Sequence, residues 1–408
     1  MTTSAMGRFR VLDLSSHISG PFAAKLFGDY GADVIKIETP GVGDISRRTG
    51  PFYHDDPHPE KSLTYLYVNA NKRGITLDIE TSLGRSIFLR LIEKTDAVIE
   101  SFAPGYLDSL DLGYEMLEKL NPRLVMTSIT PFGQTGPYRD YVGNDLVYQA
   151  MSGIMYTSGA YDREPIKHGH PQTLWMGGII SSYATSAALF LASSTGEGQQ
   201  IDLSMAEVAA SHHYSSPIRY IYSGIIERRA PKNDRGSTKG VHFEGIVPAK
   251  DGYFGPSFQL GRGRRPPLSD YAELLERPDI ADSGIETPSL QGELPKELDD
   301  KLLAALKEWN KFDYFNKAMS AGWVTAVVQT SEDLVNCPQL AERDFYTEVE
   351  HPVIGKINMP GEVFRLPKSP WSMRFTAPLL GQHNEAIYRD ELGYSKQDLV
   401  MLRQQGVI

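Results

Sequence analysis

Short apolar runs alternate with helix-period patterns between residue 9 and about residue 130. Runs rich in Val, Ile and Leu are typical of strands, whereas apolar residues spaced three and four apart are typical of helices. The pattern predicts strands at 11–14, 34–37, 75–79, 97–99 and 124–129, and helices at 21–30, 83–93 and 106–120. Strands that alternate with helices favour a parallel sheet covered by helices, so the predicted fold class is α/β.

Beyond residue 130 the pattern changes twice. Helical spacing continues around 143–152, 176–192 and 203–222. The apolar segment 176–192 is interrupted by Ser and Thr residues, and we expect a buried helix there. A charged stretch at 227–236 then predicts an exposed linker. Short strands and a helix at 298–309 follow, so we predict a large domain over residues 1–224 and a smaller α+β domain over residues 225–330.

Composition and charge exclude several classes of protein. A length of 408 residues, with 41% hydrophobic and 23% charged residues, indicates a folded chain of more than one domain. A net charge of -10 disfavours a nucleic-acid partner. The single cysteine, Cys337, excludes an intramolecular disulfide and fits a reducing compartment. Because no apolar stretch approaches the roughly 20 residues of a membrane span, we expect no membrane partner and a cytoplasmic location.

The turn after the first predicted strand, at residues 15–21, could serve a nucleotide-binding site. It places a proline in the first turn of the next helix but lacks the G-x-G-x-x-G spacing that brings a backbone against a pyrophosphate. A dinucleotide cofactor is therefore disfavoured. No spacing of His, Cys, Asp and Glu residues indicates a metal site.

Several motifs along the chain resemble one family. They lie at residues 11–14, 33–38, 69–73, 132–137, 169–178, 195–205 and 377–383. Together they strongly resemble the class III CoA-transferases, a family that also contains the 2-methylacyl-CoA racemases. The resemblance implies a Rossmann-like large domain, a small α+β domain, a return segment over residues 331–408 that packs on the large domain, and two chains interlocked as linked rings. It also implies a CoA thioester as substrate and no tightly bound cofactor.

In the transferases of this family, an aspartate carboxylate attacks the acyl-CoA thioester and forms a mixed anhydride. The resemblance places that aspartate at Leu174, which has no lone pair to offer. No Asp or Glu lies between Pro171 and Thr195. Asp162 and Glu164 precede the motif on a predicted loop, and each is either a displaced nucleophile or a solvated loop residue. We predict that the chain has no catalytic residue.

The racemases of this family use a histidine and an aspartate as acid and base. The resemblance places the histidine at Asn144, so both members of the pair are absent. Asp145 follows at the start of a predicted helix, and we expect it to be a helix cap.

Candidate binding residues are better preserved than catalytic ones. Asn71, Lys72 and Arg73 combine an amide and two cations in one predicted loop, either to hold the phosphates of CoA or as a solvated turn. His17 and Ser19 lie in the first turn, where family members approach CoA, although Ser19 is also a candidate helix cap. The arginines that family members often carry at position 39 and at 101–105 are missing, and the arginine-bearing loop at 260–267 either covers a partner's site or is exposed.

A full-length family chain without its nucleophile is interpreted as the non-catalytic subunit of a heteromeric transferase. Its partner would be a homologous chain that carries the aspartate. By resemblance, CoA would pass from succinyl-CoA to a dicarboxylate such as (R)-2-benzylsuccinate, as in anaerobic toluene degradation. Two alternatives stay open: an acyl-CoA-binding protein without catalysis, and an active homodimer with an unorthodox nucleophile.

Overall fold

The computed structural model describes residues 4–160, 162–229, 246–260, 267–281 and 296–408. Most of the predicted linker 227–236 and of the arginine-bearing loop 260–267 therefore lies outside the described residues. The chain forms two compact units. The first comprises Met1–Tyr156, Ile166–Ile226 and Arg343–Ile408, and the second comprises Thr157–Pro165 and Glu227–Glu342.

The elements follow in chain order. The strands are β1 Arg10–Asp13, β2 Asp33–Glu38, β3 Arg73–Thr76, β4 Ala97–Glu100, β5 Val125–Thr130, β6 Gln200–Ser204, β7 Val247–Pro248, β8 Tyr253–Leu260, β9 Trp323–Val327, β10 Tyr346–His351 and β11 Gly355–Pro360. The helices are α1 Ser19–Asp29, α2 Leu63–Val68, α3 Ser82–Ile92, α4 Tyr106–Ser109, α5 Tyr114–Leu120, α6 Asp145–Met151, α7 Ile154–Thr157, α8 Gln172–Thr195, α9 Met205–His212, α10 Ser215–Ser223, α11 Leu268–Leu275, α12 Pro278–Ala281, α13 Lys296–Leu306, α14 Lys311–Ser320, α15 Ser331–Val335, α16 Pro338–Glu342 and α17 Lys396–Gln404. Two 3₁₀ turns, Ile45–Arg48 and Tyr53–Asp55, and a π-helix, Glu385–Glu391, complete the set.

The first unit is built on a six-stranded sheet in the order β3-β2-β1-β4-β5-β6. Every strand pair in it is parallel. The α/β fold class with a parallel sheet is thus confirmed. β1, β2, β4 and β5 are buried along nearly their whole length. Parallel strands covered on both faces form near-continuous apolar runs, which is why these segments stood out in the sequence.

Two apolar clusters cover the faces of this sheet. Neighbouring residues of a strand point to opposite faces, so Leu12 belongs to one cluster and Val11 to the other. α3 and the C-terminal helices complete the first cluster, where Tyr388 of the π-helix is fully buried. α1 and α8 complete the second. The end of the chain is therefore part of the same core as its beginning.

The second unit contains a three-stranded antiparallel sheet in the order β7-β8-β9. Helices α11, α13 and α14 supply much of its core together with Phe254 and Trp323. The mixture of helices and antiparallel strands is that of an α+β unit. β10 and β11 form a separate hairpin within the first unit.

Two predicted helices need correction. The helix predicted at 106–120 is two helices, because Asp111 adopts a positive φ of 56° between α4 and α5. The helix predicted at 176–192 extends over Gln172–Thr195 but is not buried all round, since Tyr183 is 73% exposed and Phe190 is 77% exposed. By length and composition alone, this is the one helix in the described ranges that is able to cross a membrane. Its inner face packs on α1, where Phe22 meets Trp175 edge-on.

Candidate active site

The turn between β1 and α1 lies where the strand order of the sheet reverses, with β2 on one side of β1 and β4 on the other. In open α/β sheets, ligands bind at the carboxyl ends of the strands at such a point. The backbone N–H of Ser16 donates to Ser101 Oγ at 2.9 Å, and the N–H of His17 donates to Asp44 Oδ1 at 3.0 Å. These bonds fix the turn to the segments that follow β4 and β2.

Two cavities flank this turn, and Ser16 lines both. The cavity beside β2 and β3, about 340 Å³, is named here the charged cavity; its polar lining comprises Ser15, Ser16, Lys36, Glu38, Thr39, Asp44, Asp78, Glu80 and Tyr106. The cavity beside β5 and α8, about 420 Å³, is named the apolar cavity. Its lining includes His17, Ile18, Ser19, Ile129, Asn144, Asp145, Leu146, Tyr148, Leu174 and Met205.

The buried charged side chains at the charged cavity are paired with oppositely charged side chains of the same chain. Lys36 Nζ lies 2.8 Å from Asp44 Oδ2, and both side chains are almost fully buried. Burial alone would raise the pKa of Asp44, but Lys36 and the N–H donors of Ser46 and His17 hold that pKa well below its usual range. Arg47 donates two hydrogen bonds to Glu38, at 2.7 and 2.8 Å. These cations are therefore already neutralised within the chain.

Asn71, Lys72 and Arg73 line neither cavity. Lys72 is fully buried, and its Nζ donates to Asp13 Oδ2, Asn69 Oδ1 and the carbonyl of Pro21, at 2.7, 2.8 and 2.7 Å. Burial lowers the pKa of Lys72 to about 8, although Asp13 acts in the opposite direction. The predicted solvated turn is thus wrong for Lys72, whose three N–H groups are all taken by buried acceptors.

The two neighbours of Lys72 are also held by internal partners. Asn71 is 1% exposed and donates from Nδ2 to Asp29 Oδ1 at 2.8 Å. Arg73 pairs with Asp33 at 2.7 Å and also binds Glu391. Asp33 and Arg73 are the first residues of β2 and β3, so this ion pair lies at the amino edge of the sheet, away from the carboxyl edge with its cavities.

His17 and Ser19 do line the apolar cavity. His17 has a φ of 73°, an uncommon backbone conformation for a residue other than glycine, and burial lowers its pKa, although Asp44 acts in the opposite direction. Ser19 is not the helix cap: Ile18 holds that position and Ser19 is the first residue of α1. A Cβ added at Gly178 would lie 2.8 Å from Ser19 O, so the glycine allows α8 to approach α1 closely beside the cavity.

Leu174 lies in the first turn of α8 and lines the apolar cavity. The carboxylate of Asp145 reaches the same end of the helix. Its Oδ1 accepts the backbone N–H of Thr173 at 3.0 Å, and its Oδ2 accepts Gln149 Nε2 at 2.8 Å and Lys167 Nζ at 3.1 Å. A carboxylate is therefore present next to position 174, but it comes from α6 and is held by three donors.

The expected role of Asp145 as a cap of its own helix is therefore wrong. The cap of α6 is Asn144, whose Oδ1 accepts the N–H of Val147 at 3.1 Å. Asp145 instead binds an N–H of the first turn of α8, a tertiary contact that no local pattern encodes. Asp162 and Glu164 are both exposed and belong to the second unit.

Two arginines near the charged cavity were not found by sequence reasoning. Arg48 is exposed and donates to the carbonyl of Val42, in the loop just after Thr39. Arg139 reaches the turn after β4, since a Cβ at Gly105 would meet its Nη2 at 3.1 Å. Arg48 lies near Thr39 and Arg139 lies near the turn 101–105, the two positions at which the arginines of family members are absent from this sequence. Both arginines come from other positions along the chain, so alignment of the motifs gave no signal for them.

Glu100 is a further group that the sequence did not single out. It ends β4, is 4% exposed and accepts the N–H of Phe102 at 2.7 Å. Burial raises its pKa to about 7, although hydrogen bonds from Ser128 and Phe102 act in the opposite direction. Because Ser101 lines the apolar cavity and Phe102 the charged one, Glu100 supports the wall between them.

Comparison with known proteins gives one consistent result. The family model "CoA-transferase family III" matches residues 7–384. The succinyl-CoA–D-citramalate CoA-transferase of Chloroflexus aurantiacus is 33% identical over 98% of this chain and 97% of its own length. Subunit BbsE of the succinyl-CoA:(R)-benzylsuccinate CoA-transferase of Thauera aromatica is 32% identical over 98% of this chain and 97% of its own length.

Solved structures agree with these relatives. A CaiB/BaiF family protein from Brucella suis has a TM-score of 0.80 and is 27% identical, with 95% of this chain and 99% of that chain covered. The strand order, the cavities at its reversal point and the match along nearly the whole sequence point to the same conclusion. The chain belongs to CoA-transferase family III.

Proposed function

We propose that this chain is the non-catalytic subunit of a heteromeric CoA-transferase, which moves CoA from succinyl-CoA to a dicarboxylate such as (R)-2-benzylsuccinate. Its partner is a homologous chain that carries the catalytic aspartate, and both chains act in the cytoplasm. Members of the family use CoA thioesters as substrates without a tightly bound cofactor. Over the described ranges, no cluster of three or more His, Cys, Asp or Glu residues offers a metal site.

The observation that carries the proposal is the side chain at position 174. Leu174 points a hydrocarbon into the apolar cavity at the helix end where the family is expected to place its nucleophile. Nucleophilic catalysis at a thioester needs a lone pair on the attacking atom. The nearby carboxylate of Asp145 accepts three hydrogen bonds from donors within the chain, and these would have to break before its oxygens could attack a thioester.

The surface of the first unit supports a partner chain. Large apolar side chains are exposed on α8, where Phe190 is 77% exposed, and on α10, where Ile221 is 71% and Tyr222 is 82% exposed. Clusters of exposed apolar residues, such as Ile221 and Tyr222 on α10, are typical of protein interfaces. The similar chain from Thauera aromatica is itself named as a subunit. Both points favour an obligate, interlocked assembly of two chains, in which folding and association are coupled.

The charged cavity would take the nucleotide end of CoA. Asp78 and Glu80 line it and offer acceptors for hydroxyl and amino groups. Arg48 is exposed near one side of it, and Arg139 lies by the turn after β4 on the other. Guanidinium groups suit phosphates because they donate in a planar fork. Under this proposal, these two arginines rather than Lys72 and Arg73 hold the phosphates.

One observation favours a second candidate function. Asp145 brings a carboxylate to the start of α8, so an active homodimer could use Asp145 as an unorthodox nucleophile. That function would require the carboxylate to be released from Lys167 and Gln149 when substrate binds. The heteromer is preferred because every hydrogen bond of Asp145 would oppose that release.

The test is an assay of the purified chain with succinyl-CoA and (R)-2-benzylsuccinate, in which benzylsuccinyl-CoA is measured by chromatography. We expect no product from the chain alone, and product after co-expression with an aspartate-bearing family chain. Replacement of the partner's aspartate by asparagine should abolish the activity. Turnover by the single chain would contradict the proposal, and loss of that turnover in Asp145→Asn would establish the second candidate.

A further inference from the structure

Arg47 is a buried cation that lies behind the charged cavity. It belongs to the 3₁₀ turn Ile45–Arg48, is 1% exposed and lines neither cavity. Its Nε and Nη2 donate to the carboxylate of Glu38 at 2.7 and 2.8 Å, and its Nη1 donates to Glu60 Oε2 at 2.7 Å. One guanidinium therefore neutralises two carboxylates, one at the end of β2 and one in the segment before α2.

One side of this cluster supports the wall of the charged cavity. Gly43 and Asp44 line that cavity. Glu38 Oε2, which accepts Arg47 Nε, also accepts the backbone N–H of Asp44 at 2.8 Å. A Cβ added at Gly43 would lie 2.8 Å from Arg47 Cδ, so the backbone of the wall lies directly on the arginine. Because Asp44 accepts the N–H of His17 at 3.0 Å, the same support extends to the β1–α1 turn.

The other side of the cluster holds residues 378–383, named here the C-terminal strap. Arg47 Nη2 donates to the carbonyl oxygen of Pro378 at 3.0 Å, and the hydroxyl of Tyr65 donates to the same oxygen at 3.0 Å. Glu60 Oε1 accepts the backbone N–H of Leu380 at 3.1 Å. The Arg47 and Glu60 contacts join residues 331 and 320 positions apart in the chain. The strap therefore meets the support of the cavity wall only in the folded protein.

The contacts on the two sides should form and break together. If the strap leaves the sheet, Arg47 loses the carbonyl of Pro378 and keeps a buried donor without a partner, which is costly. The guanidinium can then find water only by a shift away from Glu38, and this shift would release Gly43 and Asp44. Buried hydrogen-bond networks are cooperative in this way. A ligand that needs the ordered wall therefore favours the docked strap as well.

We propose that Arg47 is a positioning residue that couples the binding of CoA in the charged cavity to the docking of the C-terminal strap. The inference rests on the proposed function, because it takes CoA as the ligand of that cavity. Arg47 acts through Glu38 on the wall and through the carbonyl of Pro378 on the strap. Coupling between two sites is reciprocal, so CoA stabilises the docked strap by the same factor by which the docked strap strengthens the binding of CoA.

The experiment is hydrogen exchange of the full-length protein, alone or with its partner, with and without CoA, in which peptides of this chain are followed by mass spectrometry. CoA should slow exchange in the wall, residues 43–46, and by about tenfold in the strap. No residue of the strap lines the charged cavity, so direct contact with CoA would not explain the second effect. Protection of the wall without protection of the strap would overturn the inference alone. Absence of protection in both would overturn the inference and the CoA-binding part of the proposed function.

Variants assign the coupling to Arg47. Arg47→Lys keeps the charge, but a single ammonium cannot span two carboxylates and the carbonyl of Pro378, so CoA should no longer protect the strap. Arg10→Lys is the matched control and should keep the protection, because Arg10 also bridges two carboxylates, at 2.7 and 2.9 Å, but from the first position of β1 at the amino edge of the sheet.

A second variant keeps the inference testable if Arg47→Lys does not fold. Glu60→Gln changes a side chain that is 15% exposed, removes the charge that pairs with Arg47 Nη1 and weakens the acceptor of the Leu380 N–H. It should therefore reduce the protection of the strap by CoA. Full protection of the strap by CoA in either folded variant would overturn the inference.

Discussion

The two cavities beside the β1–α1 turn share one edge of the sheet but differ in their charge. The charged cavity is lined by carboxylates above buried ion pairs, such as Lys36 with Asp44. The apolar cavity has one carboxylate in its lining, that of Asp145, which accepts hydrogen bonds from Gln149 and Thr173. Two cavities that share Ser16 therefore differ in the charge of their linings. The difference teaches that the availability of a charged group, rather than its presence, decides what a site can do.

The largest loss of stability is expected from substitution of Lys72, the buried partner of Asp13. Lys72→Met leaves Asp13 buried without its closest cation, and loss of one partner of a buried pair costs about 3–5 kcal/mol of the free energy of unfolding. Urea denaturation measures this change. Lys356→Met is the control, because Lys356 and its partner Glu348 are both well exposed, and it should leave the unfolding midpoint unchanged. Equal effects of the two variants would show that the Lys72 pair is not part of the core.

The next largest effect is a pH dependence of stability that comes from Glu100, the residue that precedes the segment between the two cavities. Its pKa is raised from 4.5 to about 7 in the folded chain. The folded chain therefore keeps this proton in a range where the unfolded chain has lost it, and stability should fall as the pH rises from about 4.5 to about 7. The loss should be on the order of 3 kcal/mol.

Urea denaturation between pH 4.5 and 7.5 checks this dependence. Glu100→Gln should remove that part of the pH dependence, because glutamine does not titrate. Glu115→Gln, at an exposed position of α5, is the control and should keep it. An unchanged pH dependence in Glu100→Gln would mean that another group is responsible.

The smallest loss of stability is expected from substitution of Asp145, which lines the apolar cavity. Asp145→Asn removes the charge that Lys167 and Thr173 share, and should cost about 1–3 kcal/mol. Hydrogen exchange of the Thr173 amide should become faster, since its acceptor in the variant is a neutral amide oxygen, which binds the N–H more weakly than a carboxylate does. Asp140→Asn is the control, with a side chain that is 79% exposed and a single weak ion pair at 3.6 Å. Unchanged exchange at Thr173 would show that Asp145 does not hold the helix end.

The sequence predicted the sheet best where both faces are covered. β1, β2, β4 and β5 were found because buried parallel strands have continuous apolar runs. β6 was missed, because this edge strand exposes Gln200 and Asp202 and lacks such a run. α4 and α5 were joined into one helix, because a positive φ at Asp111 cannot be read from apolar spacing.

For the candidate site, the sequence by itself gave the family resemblance, the turn with His17 and Ser19, and the expectation that Leu174 stands at the position of the nucleophile. Only the tertiary structure decided which charges are free. Lys72 is 59 residues from Asp13, and Asp145 is 28 residues from Thr173, yet each pair is in hydrogen-bond contact. Apolar periodicity is a local property of the chain and can be read from it. Hydrogen bonds and ion pairs form between segments that only folding brings together.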